Sequence, residues 1–292
     1  MPPRSTIKSF VASKQREGAG FIIRRSIGSS SVSTKETDPF LMLDELPVTN
    51  YKPGEFPGAP MHPHRGMDTV MYCKQGTLGH KDSMGNSGIL RDGDCQWMTA
   101  ASGIEHDEGT GHPGGPLHGF QCWINLPAEH KMDPPAYNDI TAASIPTATP
   151  AEGVTSKVIV GQVGDVAALI KPIVKVQYLD FMCKPNATFT HTLDASFETC
   201  IVHVYRGDGV FGADKKAATE GTCLLFGPGD SVTFTAGSAS GCDFLLLAGV
   251  PLREPCVWHG PFVMNTQAQI MQCFEDYQRG NFIKQKGVYR KL

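Results

Sequence analysis

The chain has 292 residues, a formal net charge of −3 and a 40% apolar fraction, which suits two ordinary domains with sizeable cores. No run of Lys or Arg exceeds a pair such as Arg24-Arg25, so the charge pattern predicts no cationic groove for a nucleic acid backbone. Direct nucleic acid binding is therefore not expected, and any action near DNA would pass through another protein.

The N-terminal segment and the cysteines indicate where the protein works. Residues 1–18 lack the apolar stretch of a signal peptide, and no segment approaches the ~20 apolar residues that span a membrane. Nine Cys, an odd number without C-x-x-C spacing, argue against a disulfide framework or a zinc ribbon. We expect mostly buried free thiols, no membrane contact and a cytoplasmic location. Nuclear entry stays open, because Arg24-Arg25 is too short for an import signal.

Segments of alternating or β-branched residues recur along the chain, separated by turn residues such as Asp92-Gly93-Asp94. Closely spaced short strands of this kind predict an antiparallel sandwich or barrel. The clearest predicted strands are Thr69–Tyr72, Cys95–Thr99, Val174–Phe181, Thr199–Tyr205, Ser231–Thr235 and Asp243–Ala248.

An internal repeat indicates duplication of one β module. Residues 90–100 (LRDGDCQWMTA) and 226–236 (FGPGDSVTFTA) share Gly-Asp, Thr and Ala in register, with an offset of 136 residues. The stretch 127–150 is rich in Pro, Ala and Thr and lacks apolar periodicity. These features predict an N-terminal module over 1–135, a linker over 136–150 and a C-terminal module over 151–292.

One helix is predicted near the end of the chain, over Thr266–Arg279. Either Asn265 or Thr266 can cap its start, Gly280 can end it, and three large apolar side chains recur on one face. We expect this helix to pack on a β module rather than to take part in chemistry.

Two pairs of residues have the spacing of metal ligands. His62 and His64 are two residues apart, as are His106 and Glu108, and residues i and i+2 of a strand point to the same face. An isolated His-x-His is common by chance, but two neighbouring strands would bring three imidazoles and one carboxylate together. Imidazole suits zinc, copper, iron or nickel, and a carboxylate favours harder ions. Both a closed zinc site and an octahedral iron with open positions fit this set.

The second module is predicted to hold no metal. The offset of 136 places Cys242 and Phe244 opposite His106 and Glu108, and only His191 stands opposite the other pair. Five further histidines have no partner at metal spacing and are expected in turns, on the surface or in the core: His80, His112, His118, His130 and His203.

Four segments resemble the pirins: DPFLMLDE (38–45), FPGAPMHPHRGMDTV (56–70), GDCQWMTAASGIEHDE (93–108) and PLREPCVWHGPFVMNT (251–266). The resemblance implies an all-β bicupin, with two face-to-face antiparallel β-barrels of the jelly-roll type and one metal ion, usually iron, in the N-terminal barrel. The two His of the family's HPHRG motif fall on His62 and His64, and its HxE motif falls on His106 and Glu108. The chain departs from the family at Asp68, where a Glu is usual.

The resemblance also implies a function. Pirin relatives are similar in their site to quercetin 2,3-dioxygenases, so one Fe(II) per chain, or another divalent metal, would serve oxidative ring cleavage of a flavonol. Glu108 would be both a ligand and a general base. The alternative is a redox-sensing protein that binds partners in transcription or signalling, and a third interpretation makes the metal purely structural. Candidate pocket walls are Met67, Trp97 and Met98, and a core position is the equal alternative for each of them.

Overall fold

Strands dominate the architecture, as the alternating pattern predicts. The computed structural model describes residues 2–292. The first half of the chain forms β1 (Thr6–Val11), β2 (Ser13–Glu17), β3 (Phe21–Ile27), α1 (Thr34–Thr37), β4 (Phe40–Tyr51), β5 (Ala59–His64), β6 (Met67–Gln75), β7 (Leu78–Asp82), β8 (Ser87–Leu90), β9 (Cys95–Thr99), β10 (Ile104–Glu108), β11 (Gly115–Asn125), a 3₁₀ turn (Ala128–His130), β12 (Ala136–Ile140) and β13 (Thr147–Ala151).

The second half continues the same pattern and ends with a helix and one strand. Its elements are β14 (Val154–Val160), β15 (Gln162–Val163), β16 (Val166–Ala167), β17 (Val176–Cys183), β18 (Thr188–Thr192), β19 (Thr199–Phe211), β20 (Lys216–Thr219), β21 (Thr222–Phe226), β22 (Ser231–Ala236), β23 (Cys242–Gly249), β24 (Val257–His259), β25 (Phe262–Met264), α2 (Gln267–Gln278) and β26 (Val288–Lys291). All six strands predicted above exist, so the all-β prediction is confirmed. Among residues 2–292, no helix combines the length and apolarity needed to span a membrane.

The predicted C-terminal helix is confirmed as α2. Thr266, not Asn265, is the N-cap. Its hydroxyl accepts from the backbone N–H of Gln269 at 3.2 Å, and the Gln269 side chain accepts from the backbone N–H of Thr266 at 3.0 Å. This reciprocal pair satisfies two backbone donors that the first turn leaves open. Gly280 ends the helix with a φ of +68°, a conformation that favours glycine.

Contacts divide the chain into two compact units, each built from separate segments. The histidine unit comprises 14–25, 40–144 and 252–292, and the phenylalanine unit comprises 2–13, 26–39 and 145–251. The stretch predicted as a linker carries β12 and most of β13. Residues 252–292, which we expected in the C-terminal module, belong to the histidine unit. The division into modules that end at residue 135 and begin at residue 151 stays a prediction.

The histidine unit contains two sheets of the jelly-roll kind. The larger sheet has the order β2-β3-β4-β11-β6-β9-β12-β26, and the smaller has the order β5-β10-β7-β8. Neighbouring strands are mostly far apart in the chain, and a parallel pair joins β12 to β26. Side chains from both sheets form one of its apolar clusters: Ile23, Leu46, Phe56, Met71, Cys73, Leu78, Leu90 and Leu117.

The phenylalanine unit repeats much of this plan around a larger apolar core. Its main path is β1-β21-β19-β23-β17-β14-β13, and β22 lies between β18 and the distal part of β19. Its buried core includes six Phe side chains: Phe181, Phe197, Phe211, Phe226, Phe234 and Phe244. All nine Cys are free, and eight of them are buried, so the prediction of free thiols is confirmed.

Candidate metal centre

Antiparallel pairing of β5 with β10 brings the three predicted histidines together. His106 lies directly opposite His62, and His64 lies two residues farther along the same face of β5. The ring centroid of His62 lies 4.7 Å from that of His64 and 4.5 Å from that of His106. The centroids of His64 and His106 are 5.0 Å apart. One nitrogen from each ring lies within 4.8 Å of the others. The predicted imidazole cluster is therefore present.

A glycine turn holds the end of β5 close to its neighbours. Gly66 has a φ of +88°, and a Cβ atom on it would lie 1.9 Å from the carbonyl oxygen of Val263. Its N–H donates to the Ala101 carbonyl at 2.9 Å. The buried Lys131 ammonium donates to the carbonyl oxygens of Gly66 at 2.7 Å and Val263 at 3.0 Å. These contacts explain why the HPHRG segment needs its glycine, and they anchor the chain two residues after His64.

Burial keeps two of the imidazoles in the form that binds metal. His64 and His106 are 2% and 0% exposed, whereas His62 is half-buried. Loss of solvent lowers the pKa of His64 and of His106 well below the usual value, and the neighbouring His62 lowers both pKa values further. Neutral imidazole is the metal-binding form, so both rings are ready to act as ligands without losing a proton.

The hydrogen bonds of the ring nitrogens indicate which nitrogens are available to a metal ion. His62 Nδ1 lies 2.8 Å from the Pro60 carbonyl oxygen, and His106 Nδ1 lies 3.3 Å from the Tyr137 hydroxyl. In the described chain, buried His64 Nδ1 and His106 Nε2 have no hydrogen-bond partner. Leaving such an atom unsatisfied costs about 1–3 kcal/mol. Three imidazoles that each place a nitrogen within 4.8 Å of the others, two of them with an unpartnered buried nitrogen, fit a divalent metal ion.

Glu108 borders the cluster at a register shift in β10. Its Oε2 is 3.8 Å from His106 Nε2, and the Gln121 amide donates to its two oxygens at 3.0 and 3.3 Å. Burial raises the pKa of Glu108, while His62 and the Gln121 hydrogen bond act to lower it. Glu108 is thus held beside the three imidazoles. Its role as fourth ligand stays a prediction.

The cluster opens into a cleft of about 640 Å³ within the histidine unit. Its apolar walls are Phe21, Ile23, Met42, Leu46, Phe56, Met71, Leu78, Trp123 and Trp258, and its polar lining includes Glu17, Arg25, Asp44, His62, His64, Glu108 and Gln121. Of the two positions expected for Met67, Trp97 and Met98, pocket wall or core, the core is observed. Met67, Trp97 and Met98 are at most 2% exposed and lie outside the lining, because their strand positions face the core.

A charged group in the cleft was missed by the sequence analysis. The Arg25 guanidinium donates to Asp44 at 2.7 and 2.6 Å and contacts Glu17 at 2.9 Å. Burial raises the pKa of Asp44 to about 6, although Arg25 acts to lower it. The sequence separation of 19 between Arg25 and Asp44 gives no local spacing signal, because the two side chains meet only across the sheet.

Two other acidic or imidazole groups take structural positions near the site. Asp68, the departure from the family pattern, is fully buried and accepts from Trp97 Nε1 at 3.0 Å. His80 is buried, and its Nε2 lies 2.9 Å from Asp139 Oδ2. It was expected in a turn, on the surface or in the core, and the core position is the observed one.

The phenylalanine unit has the same ladder without the ligands. Phe189 of β18 lies opposite Phe234 of β22, as His62 lies opposite His106. His191 occupies the position of His64, two residues farther along β18. Ala236 corresponds to Glu108, because each is followed by a glycine that makes the same backbone hydrogen bond. The Gly237 N–H donates to the Asp208 carbonyl, and the Gly109 N–H donates to the Gly79 carbonyl, both at 2.7 Å. Phe189, Phe234 and Ala236 thus stand where the first unit has His62, His106 and Glu108. That the second module holds no metal stays a prediction.

The predicted register of the repeat was wrong. The offset of 136 placed Cys242 opposite His106, and the ladder places Phe234 there. The error arose because the Gly-Asp turns before β9 and β22 are similar in sequence. The first part of β19 pairs with β21, as β6 pairs with β9, whereas β22 pairs with the distal part of β19. A turn motif recurs wherever its backbone conformation does, so it does not identify equivalent strands.

Both halves of the chain are similar to known proteins. The family model Pirin matches residues 20–124, and the model for the Pirin C-terminal cupin domain matches residues 178–283. A pirin-like protein of Solanum lycopersicum is 39% identical over 279 residues, covering 95% of this chain and 92% of that protein. A Pseudomonas aeruginosa protein, provisionally named a quercetin 2,3-dioxygenase, is 37% identical over 272 residues, covering 90% and 93%.

A solved structure shows the same fold over nearly the whole length. The crystal structure of quercetin 2,3-dioxygenase from Acinetobacter baumannii superposes with a TM-score of 0.88 at 31% sequence identity. The match covers 96% of this chain and 98% of that one. The two-domain, mostly β plan with a short C-terminal helix is therefore shared with a protein of that name.

Proposed function

This chain belongs to the pirin family, and from that premise we propose that it is a metal-dependent dioxygenase of the quercetin 2,3-dioxygenase type. The observation that carries the proposal is the meeting of three imidazoles, two of them with an unpartnered buried nitrogen, at a cleft lined mainly by apolar side chains. Its relatives include proteins named for this activity. The substrate would be a flavonol or a similar flat aromatic molecule.

The ligand set would be His62, His64, His106 and Glu108, holding one iron(II) or a similar divalent ion per chain. When bound, such an ion supplies Lewis-acid and redox chemistry that side chains lack. One ion per chain follows from the second unit, where Phe189 and Phe234 stand at the positions of two of the ligands.

The cleft suits an aromatic substrate in size and lining. A volume of about 640 Å³ lies within the range of small-molecule sites. Trp123 and Trp258, with ring centroids 5.6 Å apart, offer aromatic surface to a flat ring. The Arg25–Asp44 pair offers both donors and acceptors to phenolic hydroxyls. A substrate bound between these groups would be oriented against the imidazoles and shielded from water.

Glu108 would handle the substrate proton. Its carboxylate lines the cleft and is oriented by the Gln121 amide, so it can accept the proton of a flavonol hydroxyl placed within hydrogen-bond distance. Gln121 would then keep the protonated carboxyl in place, because an amide nitrogen continues to donate to its carbonyl oxygen.

Anaerobic reconstitution with iron(II), followed by metal analysis and an oxygen-uptake assay with quercetin, tests the proposal. We expect one iron per chain and quercetin-dependent oxygen uptake. One iron per chain without uptake would overturn the dioxygenase proposal and turn attention to partner binding in both iron oxidation states. Failure to retain iron would overturn the metal site itself.

Replacing Glu108 with Gln tests the fourth ligand at nearly constant size. We expect metal affinity to fall by roughly 10- to 100-fold and quercetin-dependent uptake to be lost, because the negative charge and the base are both removed. Glu105→Gln is the matched control, since Glu105 is adjacent to His106 on β10 and points to the opposite face. Unchanged metal stoichiometry and turnover in Glu108→Gln would remove Glu108 from the site.

A further inference from the structure

We propose that a directed chain of buried hydrogen bonds, from Asp139 through Gln96 and Tyr137, holds His106 in the tautomer that carries its proton on Nδ1. In that tautomer the Nε2 lone pair is available to a metal ion. The inference deepens the proposed function, because it rests on His106 being a ligand. It assigns positioning roles to three residues that do not line the cleft.

The chain begins at a carboxylate that can only accept. Asp139 Oδ1 accepts from Gln96 Nε2 at 3.0 Å, and its Oδ2 accepts from the Tyr289 hydroxyl at 2.8 Å and lies 2.9 Å from His80 Nε2. Burial acts to raise the pKa of Asp139, but these hydrogen bonds act in the opposite direction, and the net pKa is lowered. Asp139 is therefore ionised near neutral pH and has no proton to donate.

The direction of each following bond is then determined. Because Asp139 only accepts, the Gln96 amide must turn its NH₂ group toward Asp139 and its carbonyl toward Tyr137. The Tyr137 hydroxyl donates its single proton to that carbonyl, Oε1 of Gln96, at 2.9 Å. Toward His106 Nδ1, 3.3 Å away, the phenol oxygen can only accept. His106 Nδ1 must therefore carry the proton, which leaves Nε2 of the neutral ring bare.

The four side chains of this hydrogen-bond chain are shielded from water, which could otherwise reverse the direction of the hydrogen bonds. Gln96, Tyr137 and His106 are at most 2% exposed, and Asp139 is 6% exposed. Tyr137 and Asp139 share one face of β12, and Asp139 lies opposite Gln96 on β9. The His80 ring stacks on Tyr137 at 5.4 Å and an interplanar angle of 17°, which keeps the phenol aimed at His106. The opposite tautomer would place a proton on Nε2 and block it as a ligand.

The test reads the tautomer directly, in the metal-free full chain, by ¹⁵N-labelled histidine and long-range proton–nitrogen NMR correlation. We expect His106 in the unmodified protein to show a protonated Nδ1 and a bare Nε2. Tyr137→Phe removes the acceptor, so the Nε2-protonated form should appear. Its affinity for Co²⁺ or Zn²⁺, measured by competition with a chelator, should fall by roughly 10- to 100-fold.

A second variant tests the direction of the hydrogen bonds separately from side-chain packing. In Gln96→Met the Tyr137 hydroxyl loses its acceptor and is free to donate to His106 Nδ1, which should move the proton of His106 to Nε2 even though the phenol is still present. Tyr289→Phe is the matched control, because it removes a hydroxyl from the same carboxylate on the side away from Gln96. In that control the tautomer and the metal affinity should stay unchanged within a few-fold.

Two results would overturn the inference: an Nε2-protonated His106 in the unmodified metal-free protein, or an Nδ1-protonated His106 that persists in both Tyr137→Phe and Gln96→Met. Neither readout depends on oxygen uptake or on quercetin. Loss of the dioxygenase proposal would therefore leave this result standing, and a failed tautomer assignment would leave the activity assay untouched.

Discussion

The histidine unit and the phenylalanine unit place different chemistry on equivalent strand pairs. Where β5 and β10 bring His62 opposite His106, β18 and β22 bring Phe189 opposite Phe234. In the second unit the ring centroid of Phe234 lies 4.7 Å from that of Phe244 in an edge-to-face contact, which is a favourable aromatic arrangement. One backbone frame thus supports either a cluster of metal ligands or a closed apolar core.

The comparison teaches that ligand identity, and not the fold, decides where a metal can bind. His191 occupies the position of His64 but faces Gln177 Oε1 at 3.1 Å, so its Nε2 already has a partner. In the described chain, His64 Nδ1 and His106 Nε2 have none. At this position the first unit leaves imidazole nitrogens unsatisfied, whereas the second unit fills the corresponding position with aromatic rings.

The largest effect is expected when a histidine of the first unit is replaced by the residue at the equivalent position of the second unit. His106→Phe, which reproduces Phe234, should abolish metal retention and oxygen uptake, because the ligand at the centre of the cluster is lost. The metal-free variant should match the parent in free energy of unfolding within about 1 kcal/mol, since a buried unsatisfied nitrogen is removed with it. Metal analysis and urea denaturation measure both quantities.

His191→Ala is the control for that exchange, because it removes the histidine of the second unit. Metal content should not change in this variant. Loss of the metal would show that the phenylalanine unit takes part in binding and would break the comparison.

The next largest effect is expected in the apolar core itself. Phe234 is 1% exposed and contacts Phe181, Phe211 and Phe244. Phe234→Ala should lower the free energy of unfolding by about 3–5 kcal/mol, because it removes buried apolar surface and leaves a cavity. Iron content after reconstitution should stay at the parent value. A loss of stability below 1 kcal/mol would mean that this ring cluster does not support the unit.

A smaller effect is expected from acid. Burial lowers the pKa of His191 to about 4, from a usual value near 6.5. Between these pH values the unfolded chain binds more protons than the folded one, so this histidine's contribution is complete above pH 6.5 and is lost as the pH falls toward 4. The loss amounts to about 3 kcal/mol at 1.36 kcal/mol per pKa unit.

Urea denaturation midpoints between pH 4 and 7 measure this contribution, with His191→Gln as the reference because it cannot titrate in that range. The difference in unfolding free energy between the two proteins should shrink or reverse as pH falls, in favour of the variant. Parallel pH profiles would show that the pKa of His191 is not lowered in the folded protein.

The sequence by itself determined the elements whose signals are local. Side chains alternate between the two faces of a strand, so His62 and His64 share one face, as do His106 and Glu108. The imidazole cluster was therefore predictable before any tertiary contact was known. The boundaries of α2 were predictable for the same reason, because the cap at Thr266 and the end at Gly280 act within one turn. The family motifs add to this prediction, because they cover the same residues.

Only the tertiary structure decided what meets across the sheets. The pairing register placed Phe234 rather than Cys242 at the position of His106, brought Arg25 to Asp44, and aligned Asp139 with Gln96. None of these contacts has a local spacing rule, because each depends on which strands pair and in which register. A one-residue change of register turns every side chain of a strand to the other face, so such contacts follow from the packing of the whole unit and not from any single segment.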